Sequence, residues 1–229
     1  MSSLPPKYLL ITTLVALFSL RLVAGDGFPL WDNANLLQQD LKRATLVNNL
    51  PNITEADHYI GVQYSSSLFH SNSGESHLLP GARVSVYPNP GYNVWAQFAQ
   101  WPGSEPNFAV GTGIQVELAS ENPTRRQAMG ISWNEIYGDG YIQRDISVHG
   151  LYGFASEKLN LGLMAIIDLQ HLVIDNDRGV PDYNGTILLA VPYISWLWKE
   201  QLRISMMMPY NSTGPAVVLS GEFLLGKRE

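Results

Sequence analysis

The stretch Gly138–Phe154, GDGYIQRDISVHGLYGF, decides the fold. From Ile142, every second residue reads Ile142, Arg144, Ile146, Val148, Gly150, Tyr152, Phe154. The register between them reads Gln143, Asp145, Ser147, His149, Leu151, Gly153. A period of two belongs to a β-strand, whose side chains alternate between faces. One face here is mostly apolar and the other mostly polar. A soluble barrel turns the apolar face inward. A membrane barrel turns it toward lipid.

The same alternation recurs on both sides of this stretch. Upstream it runs through Ile60, Val62, Tyr64 and Leu68, through Ala82, Val84 and Val86, and through Tyr92, Val94, Ala96 and Phe98. Thr112, Ile114, Val116 and Leu118 follow, then Met129, Ile131 and Trp133. Downstream it runs through Leu159, Leu161, Leu163, Ala165 and Ile167. Residues Ile187–Trp198 are apolar on both faces. The last two sets are Leu202, Ile204, Met206, Met208 and Val217, Leu219, Phe223, Leu225. Turn signals such as SNSGES, PNPG, SENPT, YGDG and YNSTG separate ten candidate strands. Several links are short, so neighbouring strands are antiparallel hairpins. The expectation is an all-β, antiparallel up-and-down transmembrane β-barrel of about 8–10 strands over residues 58–229.

The N-terminal residues read differently. Lys7 precedes the apolar run Tyr8–Leu20, and small residues follow at Ala24 and Gly25. That is the layout of a cleaved secretory signal over residues 1–25. The run is short for a transmembrane helix and is closed by Arg21. Losing Lys7 and Arg21 takes the formal charge of -6 to -8. Within residues 26–57, Leu37, Leu41 and Ala44 fall on one helical face after the capping Asp32, and Pro51 ends the pattern. A short amphipathic helix is expected there, either packed on the barrel or lying on a membrane surface.

Composition narrows the class. Charged residues make up 15% of the 229, below the roughly 25% usual in soluble domains. Mean hydropathy is nonetheless only -0.03, because the polar register is built of Gly, Ser, Asn and Gln. A water-facing surface carries more Lys and Glu. No basic block is present, which excludes nucleic acid as a partner. An exported chain of this size with no cysteine fits a bacterial envelope better than a eukaryotic secretory route. Aromatics gather near strand ends at Tyr137, Tyr141, Tyr152, Phe154, Trp196 and Trp198, as an interfacial girdle requires. Arg144 breaks the apolar register, and near a strand start it snorkels to the headgroups. The expected location is the bacterial outer membrane. The expected partners are outer-membrane lipid or lipopolysaccharide and the barrel-assembly machinery.

Residues Gly130–Leu169 look like a pair of outer-membrane barrel hairpins: a tight Gly-Asp turn, a long strand, the turn SEKLN and a Gly-containing strand. The layout of Asn160–Leu225, with ISMMMPYNSTGPAVVLSGEFLLG at its end, resembles the last strands of the lipid A palmitoyltransferase barrel. That resemblance implies an eight-stranded enzyme with a His and an Asp-Ser pair near its outer surface. His70 matches the His in position. The Asp-Ser pair has no counterpart, and Ser104 in FAQWPGSEP is the nearest hydroxyl. The chain also lacks a terminal aromatic, since LLGKRE follows Phe223.

The polar register carries Glu117, Asp145, His149, Asp168, Arg203 and Glu222. Inside a barrel they form an ion-pair network that fills the lumen. The alternative reading, a catalytic set of Asp145, Ser147 and His149, meets a spacing problem. Same-face neighbours on one strand stand roughly 6.6–7 Å apart, whereas a Ser–His hydrogen bond needs about 3 Å. Asp175, Asp177 and Asp182 lack the full calcium-loop spacing, so no metal and no cofactor is expected. Three functions remain: a barrel with an envelope structural, adhesion or narrow-channel role, a barrel enzyme acting on lipid acyl chains, and a soluble exported ligand-binding barrel.

Overall fold

The computed structural model describes residues 58–70, 76–101, 107–122, 124–138, 140–174, 182–211 and 214–228. The signal segment, the amphipathic helix within 26–57, Ser104, Asp175 and Asp177 lie outside the described residues. Eight strands follow one another as β1 (His58–His70), β2 (Ser76–Val86), β3 (Tyr92–Trp101), β4 (Asn107–Leu118), β5 (Arg125–Gly138), β6 (Tyr141–Ala155), β7 (Leu159–Ile174) and β8 (Tyr183–Trp198). Then come β9 (Leu202–Met207), the two-residue β10 (Tyr210–Asn211) and β11 (Gly214–Pro215), and β12 (Val217–Lys227).

Each of β1 to β8 pairs antiparallel with the next. β8 pairs with β9, β9 with β12, and β12 returns to β1 from Ile60↔Leu225 to Leu68↔Val217. The sheet therefore closes on itself, and closure removes the edges an open sheet would expose. β10 and β11 form a small hairpin that prolongs β9 and β12 at one rim. Pro209, which has no backbone N–H to donate, marks the break between β9 and β10. Ten staves result, within the range read from the sequence. The β5–β6 turn lies at what we term the upper rim. The ends of β1 and β12 share the lower rim with the turns at 87–91, 119–124, 156–158 and 199–201. The upper β5–β6 link is the pair Asp139-Gly140, and Gly140 takes the left-handed φ of 73° that such a turn demands.

The question posed by β6 has a plain answer. Val148 is 47% exposed and His149 2%. Gln143, Asp145, Ser147, His149 and Leu151 all point inward, and Ile146, Val148, Tyr152 and Phe154 point out. The other staves follow: Ile131, Leu163, Ile167, Leu169, Leu188, Ile194, Ile204 and Leu219 are exposed. A water-soluble monomer rarely exposes an apolar patch beyond a few hundred Å². Here the apolar residues circle the barrel, which overturns the soluble ligand-binding reading: the apolar register is the outer wall. Among the described residues no helix is long and apolar enough to cross a membrane.

The apolar band has two borders. At the upper rim Phe98, Phe108 and Tyr137 stack in a ladder, with ring centroids 6.1 and 4.9 Å apart. At the lower rim Tyr152 meets Phe154 edge-on at 6.0 Å. Lys199 sits 5.2 Å over Trp198, and Arg228 4.8 Å over Tyr59. Aromatic rings with cations at their water-side edge suit an interface between headgroups and chains. On β6 the span from Arg144 to Phe154 covers about 33 Å along the strand. At the usual tilt that is about 25 Å of height, the thickness of a barrel's apolar band. Tyr141 departs from the girdle expectation. It is buried and points into the lumen, because it falls in the inward register of β6.

Candidate functional site in the packed lumen

The lumen is filled from two sides by different chemistry. The staves β1 to β6 contribute mainly polar side chains. Those of β7, β8, β9 and β12 add an apolar cluster of Met164, Ile166, Leu172, Ile187, Leu189, Val191, Met207 and Val218 beside their own buried Asp168, Gln170, Arg203 and Glu222. The polar network expected from the sequence therefore shares the lumen with an apolar cluster. Membrane strands with lumen residues of this kind are apolar on both faces. That is the reason Ile187–Trp198 lacks alternation.

Across the lumen the polar residues form a belt. Arg203 and Glu222 face each other across β9 and β12, both almost fully buried, with Arg203 Nη1 donating to Glu222 Oε2 at 3.1 Å. Tyr87 donates its hydroxyl to the other carboxylate oxygen at 2.8 Å. Arg83 donates to Gln97, and Gln97 donates to Asn134 at 2.7 Å. The guanidinium of Arg83 also lies 5.4 Å over the ring of Trp95. Trp95 in turn stands 5.9 Å from His149, which bonds Gln115 at 3.2 Å. Buried charges survive when paired, and the Arg203–Glu222 ion pair with the Tyr87 hydroxyl supplies that pairing here.

Glycines make the room. Trp95 lies opposite Gly113 across β3 and β4, and a Cβ on Gly113 would stand 2.2 Å from the Trp95 ring. A Cβ on Gly61 would meet Glu222 at 2.1 Å, and one on Gly130 would meet His149 at 2.4 Å. Small residues opposite large ones are how a barrel interior is filled without voids. The described lumen keeps a cavity of about 30 Å³ beside Gln63, Ser67, Arg83 and Met207, room for roughly one water.

Asp145 and Asp168 are both fully buried. Gln143 donates to both oxygens of Asp145 at 2.8 and 2.9 Å. Ser147 and Gln170 donate to the two oxygens of Asp168, the latter at 3.0 Å. Ser147 is thus committed to a carboxylate and His149 to an amide, and no Ser–His hydrogen bond joins them. Glu117 sits near the lower rim, half-buried, 3.5 Å from Arg126. His70 is the last residue of β1, paired in register with Ser76. Among the described residues no cluster of three or more His, Cys, Asp or Glu is arranged to hold a metal. Sequence reasoning overlooked Trp95, Tyr87, Arg83 and Gln97. The available signal was a Trp in the polar register of a strand whose neighbour carries Gly111 and Gly113.

Fold and site together define a class: a closed antiparallel barrel of the outer-membrane type, apolar outside and packed inside. No protein-family model matches the chain, and no curated protein matches it by sequence. Similar solved structures include the KdgM porin, at 7% identity and a TM-score of 0.38 over 72% of this chain and 99% of that one. The Acinetobacter baumannii outer membrane protein Omp33 is 8% identical, with a TM-score of 0.40 over 75% of this chain and 100% of that one. LpxR from Salmonella typhimurium is 6% identical, with a TM-score of 0.41 over 78% of each chain.

Proposed function

We propose that the protein is a non-conducting barrel of the bacterial outer membrane, with a structural or adhesive role in the envelope. On this reading residues 1–25 are removed on export, the barrel-assembly machinery inserts the chain, and lipid or lipopolysaccharide surrounds it. The observation that carries the reading is the occupied cross-section. Asn93, Gln115, Asn134, Asp145, Met164 and Val191, on six staves, are at most 1% exposed. A water-filled pore leaves its walls accessible, and these walls are not. Of the roles open to a small barrel, the narrow channel is therefore the least supported. The acyl-chain enzyme reading rests on His70 and on Ser104, which lies outside the described residues.

Planar-bilayer recording of the refolded chain tests this. The expected trace shows no stable conductance steps at either polarity. Reproducible single-channel openings in wild-type protein, absent from mock-refolded samples, contradict the proposal.

A further inference from the structure

A charged pair interrupts the outward apolar register at its upper border. Arg144 lies in the outward register of β6, two residues above Ile146. Its side chain is 52% exposed. Opposite it on β5 is Glu135, two residues above Trp133. Arg144 Nε donates to Glu135 Oε1 at 2.7 Å, and Tyr137 donates its hydroxyl to Oε2. Both carboxylate oxygens are thereby engaged and the guanidinium is fixed in place. Arginine has five N–H donors, and only the one on Nε is used here. The four on Nη1 and Nη2 make no hydrogen bond among the described residues. On β7 the outward neighbour is His171, whose Nδ1 bonds Asn184 at 2.7 Å. Glu135, Arg144, His171 and Asn184 thus form one polar row across four staves, at the upper border of the apolar band.

Directly below that row, the outer wall is dented. A shallow groove of about 360 Å³ runs between Val94, Thr112, Ile114, Ile131, Trp133 and Ile146, a size within the range of small-molecule sites. Thr112 is the small residue at its centre. Its hydroxyl donates to the Trp95 carbonyl at 2.8 Å, so no polar demand is left unmet in the groove. The groove opens two residues below Arg144 and Glu135, about 7 Å along the strands.

We propose that the groove and Arg144 together hold one anionic, phosphate-bearing lipid, with an acyl chain against Thr112 and Trp133 and the phosphate on the outer nitrogens of Arg144. Charge complementarity argues for that occupant. A guanidinium fork matches phosphate oxygens two at a time. A neutral chain alone has no use for a cation held at the groove's head. Glu135 and Tyr137 act as positioning residues. The inference rests on the membrane reading above.

Trp133 provides the readout. The full chain is reconstituted in phosphatidylcholine vesicles doped with chain-brominated phosphatidylglycerol or chain-brominated phosphatidylcholine. The quenching of Trp133 is the part lost in Trp133→Phe. Phosphatidylglycerol is expected to occupy the site about fivefold more strongly than phosphatidylcholine, the preference one interfacial cation supplies. Arg144→Gln brings that ratio to about one. Thr112→Leu, which fills the groove and leaves the rim intact, lowers quenching of Trp133 by both lipids. Equal quenching by the two lipids in wild type overturns the site and leaves the membrane reading standing. So does a preference that survives Arg144→Gln. Absence of quenching by either lipid overturns both.

Discussion

Replacing Glu222 by leucine lowers the unfolding free energy of the barrel by about 3–5 kcal/mol, the cost of stranding a buried charge. Arg203, 1% exposed, faces Glu222 across β9 and β12, and the two are joined at 3.1 Å. Removing the carboxylate leaves the guanidinium in the lumen without its counter-ion. It also strips Tyr87 of its hydrogen-bond acceptor. Gly61 adds a steric component, since the space around its Cα is occupied by the Glu222 carboxylate and must be refilled. Taking both charges away together, as in Arg203→Met with Glu222→Leu, recovers most of the loss, because a buried pair costs nearly as much to desolvate as it returns. Urea titration of the refolded protein, followed by tryptophan emission and by heat-modifiable gel mobility, reads both variants. A loss below about 1 kcal/mol for Glu222→Leu, the scale of a surface pair, places the pair in water and contradicts the packed lumen.

The second large effect lies on the opposite face of the wall. Val148→Arg is expected to cost about 2–4 kcal/mol, the cost of a cation near the middle of a bilayer. Phe154→Arg, six residues closer to the lower rim on the same face of β6, is expected to cost about 0–1 kcal/mol. The depth dependence is the diagnostic. In a barrel surrounded by water, both residues are simply exposed, at 47% and 48%, and both changes stay within about 0.5 kcal/mol. Equal and small effects at the two positions are incompatible with a lipid-facing wall.

The all-β class and the ten staves were legible because a period of two survives almost everywhere. The orientation of the wall was legible from which register held Gly, Ser, Asn and Gln. Three things were not. The apolar cluster of the lumen, Met164, Ile166, Leu189 and Val191, was not legible, since a strand apolar on both faces carries no register signal. Tyr141 sits at a strand end but inward, so position along the strand misplaced it where alternation would not have. The belt through Arg83, Trp95 and His149 joins β2, β3 and β6, and sequence spacing holds no record of which staves face one another across a barrel. The pairing of Arg203 with Glu222 is different. Those two residues are direct cross-strand partners, yet the hairpin between them carries a Pro-interrupted extension that blurs the register.

The central claim is that the apolar register of Gly138–Phe154 meets lipid and the polar register meets a packed interior. A nitroxide scan of single-cysteine variants from 142 to 154, in reconstituted vesicles, tests it most directly. The expected result is strong oxygen collision at 146, 148, 150 and 152, peaking near 148. At 143, 145, 147, 149 and 151 the labels are immobile, with little access to either oxygen or a water-soluble nickel reagent. High nickel access at 147 and 149 contradicts the packed lumen. High nickel access at 146 and 148 contradicts the membrane wall itself.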